Sequence, residues 1–97
     1  KNMRVFNLVS EVSGKKAANQ FVIVDNSKYT FQSYNSIICV YDEVTGNLTI
    51  YKDWDYSKTT LKHFYSFLRN YTPYNVHSKQ DLMQAVRDYK DKIEFNY

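Results

Sequence analysis

At 97 residues the chain has room for one domain built on one core and is too short for two. Its formal charge of +3, from 13 Lys and Arg against 10 Asp and Glu, excludes an acidic mimic of DNA and falls short of the dense cationic surface that phosphate neutralisation calls for. Ten Tyr and six Phe beside two Gly and one Pro exclude a disordered chain and point to an ordered, Tyr-rich domain spanning residues 1–97.

In chain order, Met3 to Val9 sets Met3 and Val5 to one side and Phe6 and Leu8 to the other, a first strand. Lys1 and Asn2 before it read as a vector or tag remnant, with Met3 a natural start. Glu11 to Asn19, with Gly14, Lys15 and Lys16, reads as a mobile loop. Gln20 to Asp25 is apolar on both faces, Phe21 and Ile23 on one and Val22 and Val24 on the other, the pattern of a strand central in its sheet. After a turn at Asn26-Ser27, Lys28 to Tyr34 is its hairpin partner, with Tyr29 and Phe31 inward and Thr30, Gln32 and Tyr34 outward. Asn35-Ser36 breaks that strand; Ile37 to Asp42 and Leu48 to Lys52 supply two more around the turn at Val44 to Asn47. The expectation is an antiparallel meander of about five strands within residues 3–52.

At Trp54-Asp55-Tyr56-Ser57-Lys58-Thr59-Thr60 the apolar period changes from two to helical spacing. Leu61, Phe64, Tyr65 and Leu68 occupy i, i+3, i+4 and i+7 of a first helix, which Ser57 or Asp55 caps. Pro73 lies beyond its end. A second helix starts at Ser78, where Ser78 and Asp81 have capping-box spacing, and carries the stripe Leu82, Val86, Tyr89 and Ile93. Phe95 and Tyr97 dock the terminus. Residues 55–97 are therefore expected to be helical, and strands followed by helices define an α+β fold with both helices on one face of the sheet.

Chemistry-bearing residues are few. Cys39 lies in the apolar run Ile37 to Val40 and reads as a buried reduced thiol. His63 and His77 are the two histidines; each reads as a helix-flanking residue without a nucleophile beside it. The acidic residues Asp42, Glu43, Asp53 and Asp55 lack the glycine at the spacing that a hard-cation loop needs, so no metal or other cofactor is expected. No apolar run approaches the roughly 20 residues that span a bilayer, and the protein is expected in the cytoplasm. Enzyme chemistry is not expected.

Two binding classes stay open. Exposed Tyr and Arg are common materials of protein-interface hot spots, which makes protein recognition the leading expectation. The alternative is nucleic acid, held by Lys58, Lys62 and Arg69 beside the first helical stripe, with Tyr51, Tyr56, Tyr71 and Tyr74 as stacking rings. Those seven residues are the candidate partner-binding set.

Three blocks in order, Asn19 to Ile23, Phe31 to Ile38 and Trp54 to Thr60, resemble an uncharacterised family of small proteins from phages and plasmids of Gram-positive bacteria. The resemblance covers residues 19–68 and leaves the first strand and second helix outside. It implies a mobile-element origin and carries no assigned chemistry. By analogy with small non-enzymatic proteins of such elements, it implies binding and inhibition of a host protein, a CRISPR effector nuclease being the prominent target class. Within the blocks Phe31, Tyr34 and Trp54 read as core and corner residues. Asp55, Ser57, Thr59 and Thr60 read as caps, and Gln20 and Gln32 as side chains that satisfy backbone groups at strand ends.

Overall fold

The computed structural model describes residues 3–97, so the reading of Lys1 and Asn2 as a remnant falls outside the described residues. Six strands follow one another in spatial order: β1 Met3–Val9, β2 Lys16–Asp25, β3 Lys28–Ser33, β4 Ser36–Asp42, β5 Asn47–Tyr51 and β6 Ile93–Asn96. The first five form the expected antiparallel meander. Between β5 and β6 lie a 3-10 turn, Lys52–Asp55, and two helices, α1 Lys58–Tyr71 and α2 Lys79–Asp88. The fold class is α+β, as the strand-then-helix order requires.

Two boundaries differ from expectation by more than a residue; β3, β4 and β5 each shift by one, which leaves Tyr34 outside its strand, in the turn before β4. The segment from Glu11 to Asn19 is a loop only as far as Lys15; β2 begins at Lys16, and Val9 pairs with Lys16 across an irregularity in β1. At the other end α2 stops at Asp88, and residues 93–96 form β6, parallel to β5 in the register Leu48 to Ile93 and Ile50 to Phe95. The α1–α2 segment supplies the long crossover that a parallel pair needs. Ile93 lies four residues after Tyr89 and so extends a helical stripe in one dimension, but in space Ile93 and Phe95 alternate inward as strand residues do.

Register sorts the sheet into two faces. On the inner face the cross-strand rows are Phe6, Val22, Phe31, Cys39, Ile50 and Phe95, then Val24, Tyr29, Tyr41, Leu48 and Ile93. A bulge in β4 opposite Phe31 and Gln32 lets both Ile38 and Cys39 reach the core, where each is fully buried. That explains an apolar run which strict alternation would have split between the faces.

The 3-10 turn and α1 close this face with aromatic side chains, and α2 adds the buried Leu82. Phe67 stacks on Phe31 with ring centroids 5.6 Å apart, and Tyr71 packs against Phe67, Tyr29 and Phe6. Trp54 is buried between Phe64 and Phe95, and its Nε1 donates to the Tyr97 hydroxyl at 2.9 Å, so the 3-10 turn is tied to the C-terminal residues. Full burial of one such ring contributes on the order of 2–3 kcal/mol. Ser57 caps α1, accepting from the Thr60 amide at 3.1 Å. Ser78 caps α2 by accepting from the Asp81 amide, while the Asp81 carboxylate reaches one residue further back, to the His77 amide. Asp55, the alternative cap for α1, lies in the 3-10 turn and is exposed.

Candidate protein-binding surfaces

The outer face of the sheet is covered by neither helix. Its central rows are Val5, Ile23, Thr30, Val40, Thr49 and Glu94, then Asn7, Phe21, Gln32 and Ile37, with Tyr51 on the neighbouring β5. Val5 is 58% exposed and Ile37 40%, with Met3 and Val9 also exposed on β1. Phe21, Ile23, Val40 and Tyr51 are half-buried, with Thr30 and Gln32 of β3 between the apolar residues of β2 and those of β4. A sheet face turned to water normally alternates to polar residues, whereas here β2 and β4 are apolar on both sides. The signal was present in the sequence as the two apolar faces of Gln20 to Asp25, but it indicated a central strand as readily as an open apolar face. Val5, Phe21, Ile23, Ile37 and Val40 therefore escaped the candidate list, which held only Tyr51 from this surface.

At one end of the sheet the β3–β4 turn faces the start of α1 across a cleft of about 450 Å³, lined by Ser33, Tyr34, Asn35, Ser36, Ile38, Asp53, Tyr56, Ser57, Thr59 and Thr60. The second and third sequence blocks thus meet here, and Gln20 of the first pairs with Ser33 across β2 and β3. Tyr34 adopts φ +55°, a left-handed conformation that strains a bulky L residue. Its amide donates to the Asn19 carbonyl at 2.7 Å, and Gln32 Nε2 donates to its carbonyl at 2.7 Å. The Tyr34 side chain nevertheless stands half exposed at the cleft's edge. Behind it, the Ser33 and Thr60 hydroxyls share a hydrogen bond at 3.0 Å, and Ser57 donates to Thr60 Oγ1 at 3.2 Å. These hydroxyls join the β3–β4 turn to the first turn of α1.

The expected Tyr and cation set does not form one surface. Tyr56 is 79% exposed near the cleft and Tyr51 belongs to the outer sheet face, but Tyr71 is part of the aromatic stack under α1. Tyr74 is a core residue: it is buried, its hydroxyl donates to the Gly46 carbonyl at 2.9 Å, and Tyr41 and Tyr89 pack on it edge to face. Burial raises the phenol pKa of both Tyr71 and Tyr74. Neither ring is available for stacking on a base.

Arg69 is likewise committed. It donates to the Val76 carbonyl at 2.6 Å and pairs with Glu11, fastening the β1–β2 loop and the α1–α2 connection to α1. The Arg69 hydrogen bond is the main reason the Glu11 carboxyl pKa is lowered, against a smaller opposing effect of desolvation. Lys58 and Lys62 remain exposed on α1.

Gln32 does satisfy a backbone carbonyl, but Gln20 does not behave as expected. It is fully buried, and its amide oxygen and nitrogen have no hydrogen-bond partner among the described residues. Cys39 is buried as expected, and desolvation raises its pKa, which keeps the thiol protonated. His63 Nδ1 bonds the Thr59 carbonyl at 2.9 Å, and His77 Nε2 bonds Asn75 Oδ1 at 3.1 Å. Among the described residues no group of three or more His, Cys, Asp or Glu is placed to hold a metal ion, and no helix is long and apolar enough to cross a membrane.

A five-stranded meander closed by a parallel sixth strand at its edge, with helices on one face and apolar residues on the other, defines a small α+β domain with an open sheet surface. The chain belongs to a family of unknown function, DUF8033, whose model matches residues 5–84. That match takes in most of β1 and of α2, both of which the three-block resemblance left outside. No curated protein and no solved structure matches the chain.

Proposed function

We propose that this domain is a non-catalytic binding module of a mobile genetic element, which binds and inhibits a host protein inside the bacterial cell through the open face of its sheet. A CRISPR effector nuclease is the target class. The observation that carries the reading is the apolar centre of that face, Val5, Phe21, Ile23, Ile37, Val40 and Tyr51, turned to solvent. A sheet face without a covering layer normally alternates to polar residues, and apolar side chains gathered on such a face commonly mark a protein contact. Strained, half-exposed Tyr34 at the end of the same hairpin supports the reading, since its conformation has a cost and its ring enters no aromatic pair in the core. The mobile-element origin and the inhibitory role rest on the three-block resemblance and on analogy.

The competing reading, nucleic-acid binding, loses three of its residues to internal roles: Arg69 to an ion pair, Tyr71 and Tyr74 to packing. The test is capture of partners from host lysate, with and without nuclease treatment, by the unchanged domain and by Val5→Lys/Ile37→Lys. Both sites are exposed enough for the variant to keep its far-UV spectrum and melting temperature. The proposal expects a nuclease-resistant protein partner whose capture falls at least about tenfold in the variant. Equal capture by both forms, or recovery of nuclease-sensitive material alone, overturns it. Unchanged cleavage by purified CRISPR effectors at large molar excess removes that target class.

A further inference from the structure

A second surface lies on the helical layer, on the other side of the sheet from the open face. Lys58, Leu61, Lys62, Tyr65 and Arg69 of α1, with His77 from the α1–α2 connection, line a shallow groove of about 370 Å³. Lys58 and Lys62 stand one helical turn apart on the exposed flank of α1, and among the described residues neither forms an ion pair. Leu61 and Tyr65 make an apolar floor, and Tyr65 is buried beside Phe64, its ring tilted against that of Phe64.

No carboxylate lines the groove, although the charges of Asp55 and Asp81 reach the Tyr65 hydroxyl from outside it and, after burial, raise its pKa. One carboxylate already occupies the rim. Glu11, from the β1–β2 loop, is held by Arg69 and by Asn70 Nδ2 at 3.0 Å. Its hold takes up Arg69, in the last turns of α1, and leaves Lys58 and Lys62, in the first two turns, as the unpaired lysines of the groove.

We infer that this groove docks an acidic, amphipathic segment of a protein partner. Its carboxylates pair with Lys58 and Lys62, and an apolar side chain lies on the half-exposed Leu61. Charge complementarity selects the acidic partner. The floor selects protein over nucleic acid: a buried Tyr65 offers no face for base stacking, and two unpaired lysines are too few to track a phosphate backbone. The inference rests on the reading of the domain as protein-binding, but it uses a different surface.

The test is fluorescence polarisation with three labelled probes: a short peptide alternating Glu and Leu, poly-glutamate of equal length, and a single-stranded oligonucleotide. The Glu–Leu peptide is expected to bind tightest, to weaken at least about tenfold with Lys58→Glu/Lys62→Glu, and to weaken as salt rises from about 50 to about 300 mM. Leu61→Ala is expected to weaken the Glu–Leu peptide several-fold more than poly-glutamate. Unchanged peptide binding in the charge-reversed variant, equal binding of the two peptides, or tighter binding of the oligonucleotide overturns the inference. Val5→Lys/Ile37→Lys separates the two surfaces: it is expected to bind the peptide as the unchanged domain does. A domain that fails to bind peptide yet captures a partner through the open face refutes only the groove.

Discussion

Gln20→Met is expected to stabilise the domain. Gln20 is fully buried on the inner face of β2, opposite Ser33, and both polar atoms of its amide lack a hydrogen-bond partner among the described residues. An amide removed from water without compensation costs about 1–3 kcal/mol. Methionine has nearly the same length, volume and flexibility, so the exchange leaves no cavity and little difference in side-chain entropy, and misfit in such a swap stays below about 1.5 kcal/mol. The net expectation is a gain of about 1–2 kcal/mol. In a domain of this size each 1 kcal/mol moves the melting temperature by roughly 4–8 °C, so the transition should rise by about 4–16 °C. Urea unfolding at constant m-value, alongside a thermal scan, measures both quantities. A loss of more than about 1 kcal/mol would refute the reasoning, because it would mean the amide is hydrogen-bonded in solution.

Other expectations follow from equally local features. Ser57→Ala removes the acceptor for the Thr60 amide and a partner of the Thr60 hydroxyl, and should cost about 1 kcal/mol in urea unfolding. Tyr34→Gly relieves a left-handed φ of +55° at a half-exposed position, so stability should stay within about 1 kcal/mol while partner capture falls; a large loss of stability would make Tyr34 a structural residue. Cys39 should react with a disulfide reagent only at the rate of global or sub-global opening, since burial keeps the thiol protonated and covered; rapid labelling of the native domain would contradict its placement. Glu11 has a lowered pKa in the folded state, so its pairing with Arg69 contributes in full above its ordinary value of 4.5 and is lost as pH falls through the lowered value. The pair is partly exposed, so the effect is modest, and Glu11→Gln should flatten the fall in stability between about pH 5 and pH 3.

Much of the fold was legible in the sequence because it rests on local rules. The first five strands follow from period-two patterning and turn residues, and both helix starts follow from Ser57 and Ser78, each with a free hydroxyl three residues before an amide that needs an acceptor. The end of the chain was read wrongly because Ile93 fits a helical stripe as well as a strand, and only the vacant edge of β5 decides between them. The candidate site was less legible for the same reason. Tyr74 and Tyr56 are the same residue type in similarly polar surroundings, yet one is a core residue bonded to Gly46 and the other is largely in water. Arg69 resembled a free cation until the fold brought Glu11 beside it across 58 residues of chain. By itself the sequence determined the α+β class, the meander and the starts of both helices, with Ser57 or Asp55 as the cap of the first, since each depends on neighbours within one or two turns or strands. Only the tertiary structure decided which face of the sheet the helices cover, and hence which of the two apolar faces of β2 is left to meet a partner.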